Sequence, residues 1–309
     1  MPQLASLEQV RDKRTQRDVG GGHYVRRTDF MVAPKDRPDL PQAFLIESTP
    51  GRVLNTHFHE VDQFQIVIHG GGTLSRHRLA APGVHFARAF TPYGPITNDA
   101  QGIGFMTLRA RRDVMDAQFI SERRWRLDEI ADRKPWQFTQ MPQFSSAERG
   151  LSMQSIEGLK DERGLDGWSL VMAPNAETGL PDPSTSDGQY VVVLKGEVVH
   201  EQLTYRGLTV IHVAPEEKAL RLRTGESGLE AIVLNFPRRV GAAAIPARIV
   251  QAVQGYEAWH CSLCDFIYEE SDGRPEEGIA PGTRWTDVPH DWTCPDCAAG
   301  KGGFGKLEF

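Results

Sequence analysis

The stretch THFHEVDQFQIVIHGGGTL, residues 56–74, decides the fold because it joins two histidines to a long apolar strand. His57 and His59 are one residue apart, so on a β-strand their side chains point to the same face. Gln63 follows four positions after His59, and the apolar run beyond it ends at Gly70. This pattern predicts a strand pair that carries polar, metal-ligating side chains on one face.

A second stretch, QYVVVLKGEVVH at residues 189–200, repeats the pattern of QFQIVIHGGGTL at residues 63–74 with an offset of 126 residues. At this offset the two histidines fall opposite Pro183 and Thr185. The chain is therefore predicted to contain an internal repeat, in which the second copy keeps the scaffold and lacks the histidines.

Further strands are predicted around this pair, because short apolar segments separated by Gly, Pro, Asn and Asp recur over residues 42–237. That spacing favours an antiparallel sandwich or barrel over βαβ units. Two helices are predicted: a short polar one at residues 4–18, and one at residues 116–133. The apolar positions of the second are Phe119, Trp125, Leu127 and Ile130. The predicted fold class is mainly β.

The charge and composition of the chain argue against two classes of binding partner, nucleic acids and anionic membranes. The chain has 309 residues, a formal net charge of −6 and a sequence pI near 5.9. Binding to nucleic acid or anionic membranes requires clustered positive charge, so neither is expected. Arg109, Arg111 and Arg112 are interpreted as a solvated charged face. The N-terminus lacks the apolar core of a signal peptide, and no run approaches the ~20 apolar residues of a membrane span, so a cytoplasmic protein is expected.

All four cysteines lie near the C-terminus, as two C-x-x-C pairs: Cys261 with Cys264, and Cys294 with Cys297. A secreted disulfide protein would spread its cysteines along the chain, whereas paired knuckles are typical of a metal site in a reducing compartment. Four thiolates give tetrahedral sulfur coordination, which suits iron or zinc. Spacing alone leaves both metals open.

The residues around these cysteines resemble rubredoxin over about residues 257–309, through GIAPGTRW, DVP, DW and CPDC. They are similar to the rubredoxins that serve alkane hydroxylases. The resemblance implies one iron on the four cysteines, cycling between ferric and ferrous, and a rubredoxin reductase or similar NAD(P)H-dependent donor as partner. It also implies a small aromatic core: Trp259, Tyr268, Trp285, Trp292 and Phe304. Asp265 and Ala298 stand where the family usually has glycine.

The opening stretch, extended back to Gly51, reads G-x5-H-x-H-x3-Q-x6-G and resembles the first cupin motif, with Gln63 in place of glutamate. The second cupin motif has a partial counterpart at residues 92–97, where Thr97 replaces the final histidine. The resemblance implies a double-stranded β-helix (cupin jelly roll) in two repeats, with a second iron or other divalent metal on the two histidines and Gln63. Other histidines on nearby predicted strands could complete the set: His69, His77 and His85, with His85 the first to test.

The predicted domains follow from these two resemblances. They are an N-terminal extension (1–40), a first cupin repeat (41–115), a connector (116–164), a second cupin-like repeat without metal histidines (165–237), a linker (238–255) and a rubredoxin domain (256–309). The chain is thus expected to be a bicupin followed by a small electron carrier.

Two functions are compatible with this organisation. The first is an oxidoreductase: a cupin-type, metal-dependent oxygenase that acts on a small organic substrate, with the fused rubredoxin as one-electron donor. The second is a non-catalytic ligand-binding or redox-sensing protein, in which the two histidines line a pocket without metal. The electron carrier favours the first, because a carrier fused to a barrel needs something to reduce. An isomerase-type cupin is disfavoured, because that chemistry has no use for an electron carrier. Substrate identity and a possible homodimer stay open.

Overall fold

The structure is a computed structural model that describes residues 2–128, 130, 133–145, 150–239, 256–261, 267–295 and 300–306. The chain divides into two units. The first unit comprises Met1–Gln16 and Val25–Arg239, and the second comprises Arg17–Tyr24 and Val240–Phe309. No helix in the described ranges is both long enough and apolar enough to cross a membrane.

Strands dominate both units. In chain order they are β1 (Gln3–Ser6), β2 (Thr15–Asp18), β3 (Tyr24–Met31), β4 (Gln42–Ser48), β5 (Val53–Leu54), β6 (His57–Phe58), β7 (Gln63–Leu74), β8 (His77–Ala80), β9 (Gly83–Ala87), β10 (Ile96–Arg109), β11 (Gln118–Phe119), β12 (Gln137–Gln140), β13 (Leu151–Ser155), β14 (Asp166–Met172), β15 (Glu177–Gly179), β16 (Gln189–His200), β17 (Leu203–Arg206), β18 (Thr209–Val213), β19 (Arg221–Asn235), β20 (Ala258–Cys261), β21 (Ile267–Glu269) and β22 (Phe304–Lys306). The described α-helices are α1 (Leu7–Val10) and α2 (Ile120–Asp128).

The two predicted helices are only partly confirmed. Residues 4–18 form β1, α1 and β2 in place of one helix. Leu4 pairs with Ile211 of β18, so long-range strand pairing overrides the local helical pattern there. The second predicted helix shortens to α2, and Phe119, predicted within it, lies on β11. Leu127 is buried, but Trp125 is 42% exposed, so the prediction that Trp125 faces the core is wrong.

The nine-stranded sheet, here named the first barrel, has the order β12-β9-β7-β10-β4-β3-β2, with β5 and β8 attached to β10 and β7. Alternation along β7 gives the sheet two different faces. Val67 packs into an interior cluster with Ile103 and Phe105. Phe64 and Ile66 point the other way, into a second apolar cluster. The first barrel is therefore covered on both faces.

The eight-stranded sheet, here named the second barrel, has the order β1-β18-β16-β19-β14-β13, with β15 and β17 attached to β19 and β16. Val191, Ile211 and Val233 belong to its interior cluster. Tyr190 and Phe236 face the cluster that also contains Phe64 of the first barrel. The two barrels thus pack through their outer faces, as in a bicupin.

The predicted repeat is confirmed residue by residue. β7 and β16 both have 12 residues and begin at equivalent glutamines, 126 positions apart. The cross-strand pairs repeat at this offset: Gln65–His85 and Gln65–Thr107 in the first barrel, Val191–Ile211 and Val191–Val233 in the second. The same register in both sheets shows that one scaffold is built twice.

Two glycines at equivalent positions explain the shared bend in these strands. Gly70 and Gly196 have φ angles of +66° and +85°, which L-residues with a Cβ rarely adopt. A Cβ on Gly70 would also overlap the carbonyl oxygen of Gly102, and one on Gly196 that of Gly228. Both strands therefore need glycine where the ladder shifts register.

The first 40 residues, predicted as an extension, supply strands to both barrels. β1 joins the edge of the second barrel beside β18, and β3 pairs with β4 of the first barrel. This segment is therefore part of the scaffold, although its strands are short and its composition is polar.

The second unit contains a three-stranded sheet of order β21-β20-β22. Its core confirms the predicted aromatic set: Trp259, Tyr268, Trp285, Trp292 and Phe304 pack together around Val288 and Ile279. Trp259 and Trp285 stack with ring centroids 5.1 Å apart. Of the predicted linker at residues 238–255, all but the first two residues lie outside the described ranges.

Candidate metal and ligand site

The candidate site lies at one end of the first barrel, where buried polar side chains from separate segments meet. His57 comes from β6, Gln63 opens β7, and His85 lies in the middle of β9. His59 follows β6 and Tyr93 lies between β9 and β10. All five side chains belong to residues that are at most 6% exposed. The structure thus brings together the histidines that the sequence motif and the strand pattern singled out.

Tyr93 links His57 to Gln63. The Nδ1 of His57 lies 2.8 Å from the backbone oxygen of Asn55, so it carries the hydrogen and donates it. Its Nε2 is then an acceptor, and it lies 3.0 Å from the Tyr93 hydroxyl, which donates to it. The Gln63 side-chain amide donates to the same hydroxyl oxygen. Tyr93 therefore occupies the space between two of the predicted ligands.

His59 is held by a buried hydrogen bond to a carboxylate. Its Nδ1 lies 2.5 Å from Oδ2 of Asp113, which is 2% exposed. Arg109 lies beside both groups, with its Nη2 3.5 Å from the same carboxylate oxygen. Because a carboxylate oxygen accepts, the Nδ1 of His59 carries the hydrogen and donates it.

Arg109 connects three strands of the barrel. Its Nε donates to Oε1 of Gln63 at 3.1 Å, and its Nη1 donates to Oε1 of Gln42 at 3.3 Å. The residue is 3% exposed, so the interpretation of Arg109 as part of a solvated charged face is wrong. A buried guanidinium needs several acceptors, and Asp113 supplies the opposite charge.

His85 has one satisfied nitrogen and one unsatisfied nitrogen. Its Nδ1 lies 2.9 Å from the Thr139 hydroxyl of β12. Its Nε2 is buried and has no hydrogen-bond partner within the described residues. The imidazole ring centroid of His85 lies 4.9 Å from the ring centroid of Tyr93.

Burial keeps these histidines neutral. Desolvation lowers the pKa of both His57 and His85 to about 3, and lowers that of His59 well below its ordinary value. Desolvation likewise raises the pKa of Tyr93 and of Asp113, and the charge of Arg109 opposes the shift in both cases. Neutral imidazoles keep the lone pairs that metal binding requires.

The other predicted candidates lie elsewhere. His69 is exposed and contacts Glu47, and His77 is exposed on β8. Thr97 lies half-buried on β10, paired with Val53 and Thr73. Sequence reasoning missed Tyr93, Asp113 and the role of Arg109, although Tyr93 lies inside the partial second motif.

The arrangement does not form a closed ligand set. In the described ranges, no group of three or more His, Cys, Asp and Glu side chains is placed to hold a metal ion. The ring of Tyr93 stands among the three histidines, with centroid distances of 4.5 Å to His57 and 6.2 Å to His59. A pocket of about 300 Å³ is lined by Tyr93 together with Arg76, His77 and Gln137.

The four cysteines of the second unit are only partly described. Cys294 is 1% exposed and belongs to the aromatic cluster, and Cys261 ends β20. Cys264 and Cys297 lie outside the described residues, as do the two glycine-replacing positions Asp265 and Ala298.

Comparison with known proteins identifies this unit. The family model for rubredoxin matches residues 258–304. Rubredoxin-1 of Alcanivorax borkumensis is 56% identical over 51 residues, which are 16% of this chain and 94% of that protein. The chain belongs to the rubredoxin family through its C-terminal domain. Membership in this family implies an iron centre, and buried Cys294 within an aromatic shell fits a thiolate-bound iron.

The similarity of the chain to known proteins extends beyond the rubredoxin domain. High molecular weight rubredoxin of Moorella thermoacetica is 30% identical over 162 residues, which are 51% of this chain and 69% of that protein. The aligned length exceeds that of the rubredoxin domain, so it includes preceding residues. The crystal structure of a candidate dioxygenase from Nostoc punctiforme matches with a TM-score of 0.50 at 13% identity, covering 77% of this chain and 83% of that one. At that identity the match shows the fold alone, which is cupin-like.

Proposed function

We propose that this protein is an oxidoreductase in which the rubredoxin domain delivers single electrons to a metal-dependent reaction in the first barrel. One observation carries the proposal: His57, His59 and His85 each bind an oxygen atom through Nδ1, which leaves their Nε2 atoms on the other side. Metal-binding histidines are held in this way, by a carboxylate, a backbone carbonyl or another oxygen on the second ring nitrogen.

The electron carrier would hold one iron on Cys261, Cys264, Cys294 and Cys297. Four thiolates leave no open coordination position, so such a site passes electrons and does not bind substrate. A rubredoxin reductase or a similar NAD(P)H-dependent protein would supply the electrons. Fusion keeps the carrier at a high effective concentration near the barrel.

The barrel metal would be held by His57, His59 and His85. The buried, unpartnered Nε2 of His85 fits this assignment, since a neutral imidazole nitrogen is costly to bury without a partner. Gln63 stays a predicted ligand, although its Oε1 already accepts from Arg109. A metal with few protein ligands supplies open positions for dioxygen.

Other residues would prepare this site. Asp113 fixes the tautomer of His59, and Arg109 balances the charge of Asp113. Tyr93 would have to release its hydrogen bond to His57 before that nitrogen binds a metal. The pocket of about 300 Å³ beside Tyr93 has the volume for a small organic substrate.

A second candidate function is ligand binding or redox sensing without turnover. It is favoured by the hydrogen bonds that already satisfy His57 and Gln63 through Tyr93. In that case the polar side chains of the first barrel would bind an organic ligand directly, and the rubredoxin domain would exchange electrons with a partner.

Dioxygen consumption by the full chain, supplied with NADH and a rubredoxin reductase, separates the two functions. We expect sustained consumption that is lost in Cys294→Ser, where electrons cannot enter, and in the double variant His57→Ala/His59→Ala, where the barrel site is removed. His69→Ala is the matched control, because this histidine is exposed and lies outside the site. Equal consumption by the wild type and the double variant, with both rubredoxin domains reduced, would refute the oxidoreductase.

A further inference from the structure

A short segment of the chain lies against the stretch that carries the two motif histidines. It runs from Gln118 to Asp128, comprises β11 and α2, and is here named the strap. Among the described strands, β11 pairs with β6 alone, in a two-stranded ribbon that is separate from the barrel sheet. Phe119 of the strap lies opposite His57 in this ribbon.

The strap covers one edge of β6. Tyr93 takes both backbone groups of His57, since the His57 amide donates to the Tyr93 oxygen at 3.1 Å and the Tyr93 amide donates to the His57 oxygen at 2.9 Å. In an antiparallel strand these two groups point to the same edge, so Phe119 approaches from the other one. Its ring centroid lies 5.8 Å from that of His57. His57 is 2% exposed between them, so a ligand reaches it only if one of the two moves.

A buried ion pair fastens the strap beside His59. Glu60, the next residue, is 6% exposed, and its Oε1 accepts from the Arg126 Nη2 at 2.7 Å and from the Gln118 Nε2 at 3.0 Å. The side chains of Arg126 and Glu60 are only 11% and 7% exposed. A buried pair of this kind is strongly destabilised when one partner is removed. These three residues, Glu60, Gln118 and Arg126, are here named the latch.

The rest of the strap is weakly held. Within α2, Leu127 is the only buried side chain, and Trp125 is 42% exposed. The helix is interrupted at Arg123, whose backbone angles are non-helical. The Oε1 of Gln118 is buried without a hydrogen-bond partner among the described residues, so the closed position leaves an acceptor unsatisfied. Segments with few buried apolar contacts open locally at a low free energy.

We propose that the strap is a lid over the histidine site. It opens when the latch breaks, exposes the edge of β6 and admits a ligand to His57 and His59. In the closed position it excludes water from both imidazoles. The lid controls access only, so the proposal holds for a metal ion and for an organic ligand, and it does not rest on the proposed function.

Acylation of histidines by diethyl pyrocarbonate at neutral pH tests access without any metal or turnover. Trypsin releases residues 53–76 as one peptide, which contains His57, His59 and His69. His69 is exposed and serves as the internal reference. Mass spectrometry then gives the rate at each histidine of the full chain. In the wild type we expect His57 and His59 to react at least about tenfold more slowly than His69.

Arg126→Met breaks the latch and should speed the reaction of both buried histidines about tenfold relative to His69. Arg124→Met is the matched control: Arg124 is exposed on the same helix, so this variant should react as the wild type does. The double variant Glu60→Gln/Arg126→Met leaves no buried charge and keeps an acceptor for Gln118. It should react as fast as Arg126→Met, and it decides the question if the single variant does not fold.

Hydrogen–deuterium exchange shows whether the strap opens by itself. We expect the backbone amides of residues 118–128 to exchange faster than those of β7 in the wild type. In Arg126→Met the strap should exchange faster still, while exchange in β7 stays unchanged.

The proposal fails in any of three cases. In the first, the buried histidines of the wild type react as fast as His69, so nothing covers them. In the second, the folded latch variants acylate no faster than Arg124→Met. In the third, the strap and β7 exchange at the same rate or accelerate together in Arg126→Met, so the strap opens only when the barrel unfolds.

Discussion

In the first barrel the paired interior positions of three neighbouring strands are Gln65, His85 and Thr107, whereas in the second barrel they are Val191, Ile211 and Val233. The strands, their register and their bend-forming glycines are the same in both. At these three positions the second barrel therefore has apolar core side chains, whereas the first barrel has buried polar ones.

The first barrel instead buries polar side chains at these positions, which lowers the stability of the fold. Burying imidazole, amide and guanidinium groups costs free energy unless each finds a partner. Arg109 finds several partners, but the Nε2 of His85 finds none among the described residues. Groups that weaken a core and are not fully satisfied within it are characteristic of functional sites. The difference between the barrels is the physical reason to place the reaction in the first.

The largest effect is expected when a histidine is moved into the second barrel. Ile211→His replaces a side chain that is 1% exposed with the residue found at the equivalent position of the first barrel. It removes apolar burial and adds polar atoms to an apolar core, so the free energy of unfolding should fall by about 4 kcal/mol. Urea denaturation measures the change.

Ile211→Val is the control for this exchange and should cost about 1 kcal/mol. If Ile211→His lowers the free energy of unfolding no more than this control does, the second barrel tolerates polar groups. The difference between the two interiors would then be no reason to place the reaction in the first barrel.

The next effect concerns the charge balance of the first barrel. Asp113→Asn leaves the buried Arg109 without its nearest carboxylate and should lower the free energy of unfolding by about 3 kcal/mol. Asp116→Asn is the matched control: its carboxylate lies 3.9 Å from the same guanidinium but is 76% exposed, so a change below about 0.5 kcal/mol is expected. Similar losses in both variants would show that Arg109 does not depend on a buried counter-charge.

A pH-dependent effect is expected from the second barrel. Burial lowers the pKa of His212 to about 4, partly offset by Glu217. Between about pH 6.5 and pH 4, His212 is protonated in the unfolded chain but stays neutral in the folded chain. The free energy of unfolding therefore falls as the pH falls.

Over about pH 7 to pH 5 this one histidine should account for about 2 kcal/mol of lost stability. His212→Asn should therefore reduce the pH dependence of the free energy of unfolding by that amount, as measured by urea denaturation at both pH values. If the pH dependence of the free energy of unfolding is unchanged in His212→Asn, His212 has the same pKa in the folded and the unfolded chain.

The smallest effect tests the contact between the barrels. The Tyr190 hydroxyl lies 3.0 Å from the Gln42 oxygen and 2.9 Å from the Arg109 oxygen, so it joins the second barrel to the backbone of the first. Tyr190→Phe should cost about 1 kcal/mol in thermal or urea unfolding. Tyr205→Phe, at a half-buried tyrosine of β17, should cost less. Equal losses of stability in the two variants would show that the Tyr190 hydroxyl does not stabilise the contact between the barrels.

Much of the fold could be predicted because its signals are local. Alternation along β7 and β16, the glycine in each strand and the constant offset of 126 residues mark the repeated sheet. The rubredoxin domain is equally local, since its cysteines and aromatic residues recur at short spacing. Residues 4–18 were not predictable in this way, because Leu4 becomes a strand residue only through its pairing with Ile211.

The candidate site was predicted where its residues belong to a short local motif or to a regular strand. His57 and His59 could be found from their spacing in the motif, and His85 from its place on a neighbouring strand. Arg109 could not, because its burial depends on Gln63 and Gln42, which lie 46 and 67 positions away. Asp113 and Tyr93 lie outside regular strands, and such side chains receive their partners only from the folded barrel.

Metal content tests the central claim most directly. Elemental analysis of the purified full chain should find about two transition-metal ions per molecule, and about one in the double variant His57→Ala/His59→Ala, with the absorption of the ferric–thiolate centre unchanged. If both proteins hold the same single ion, the first barrel binds no metal, and the reaction proposed for it is contradicted.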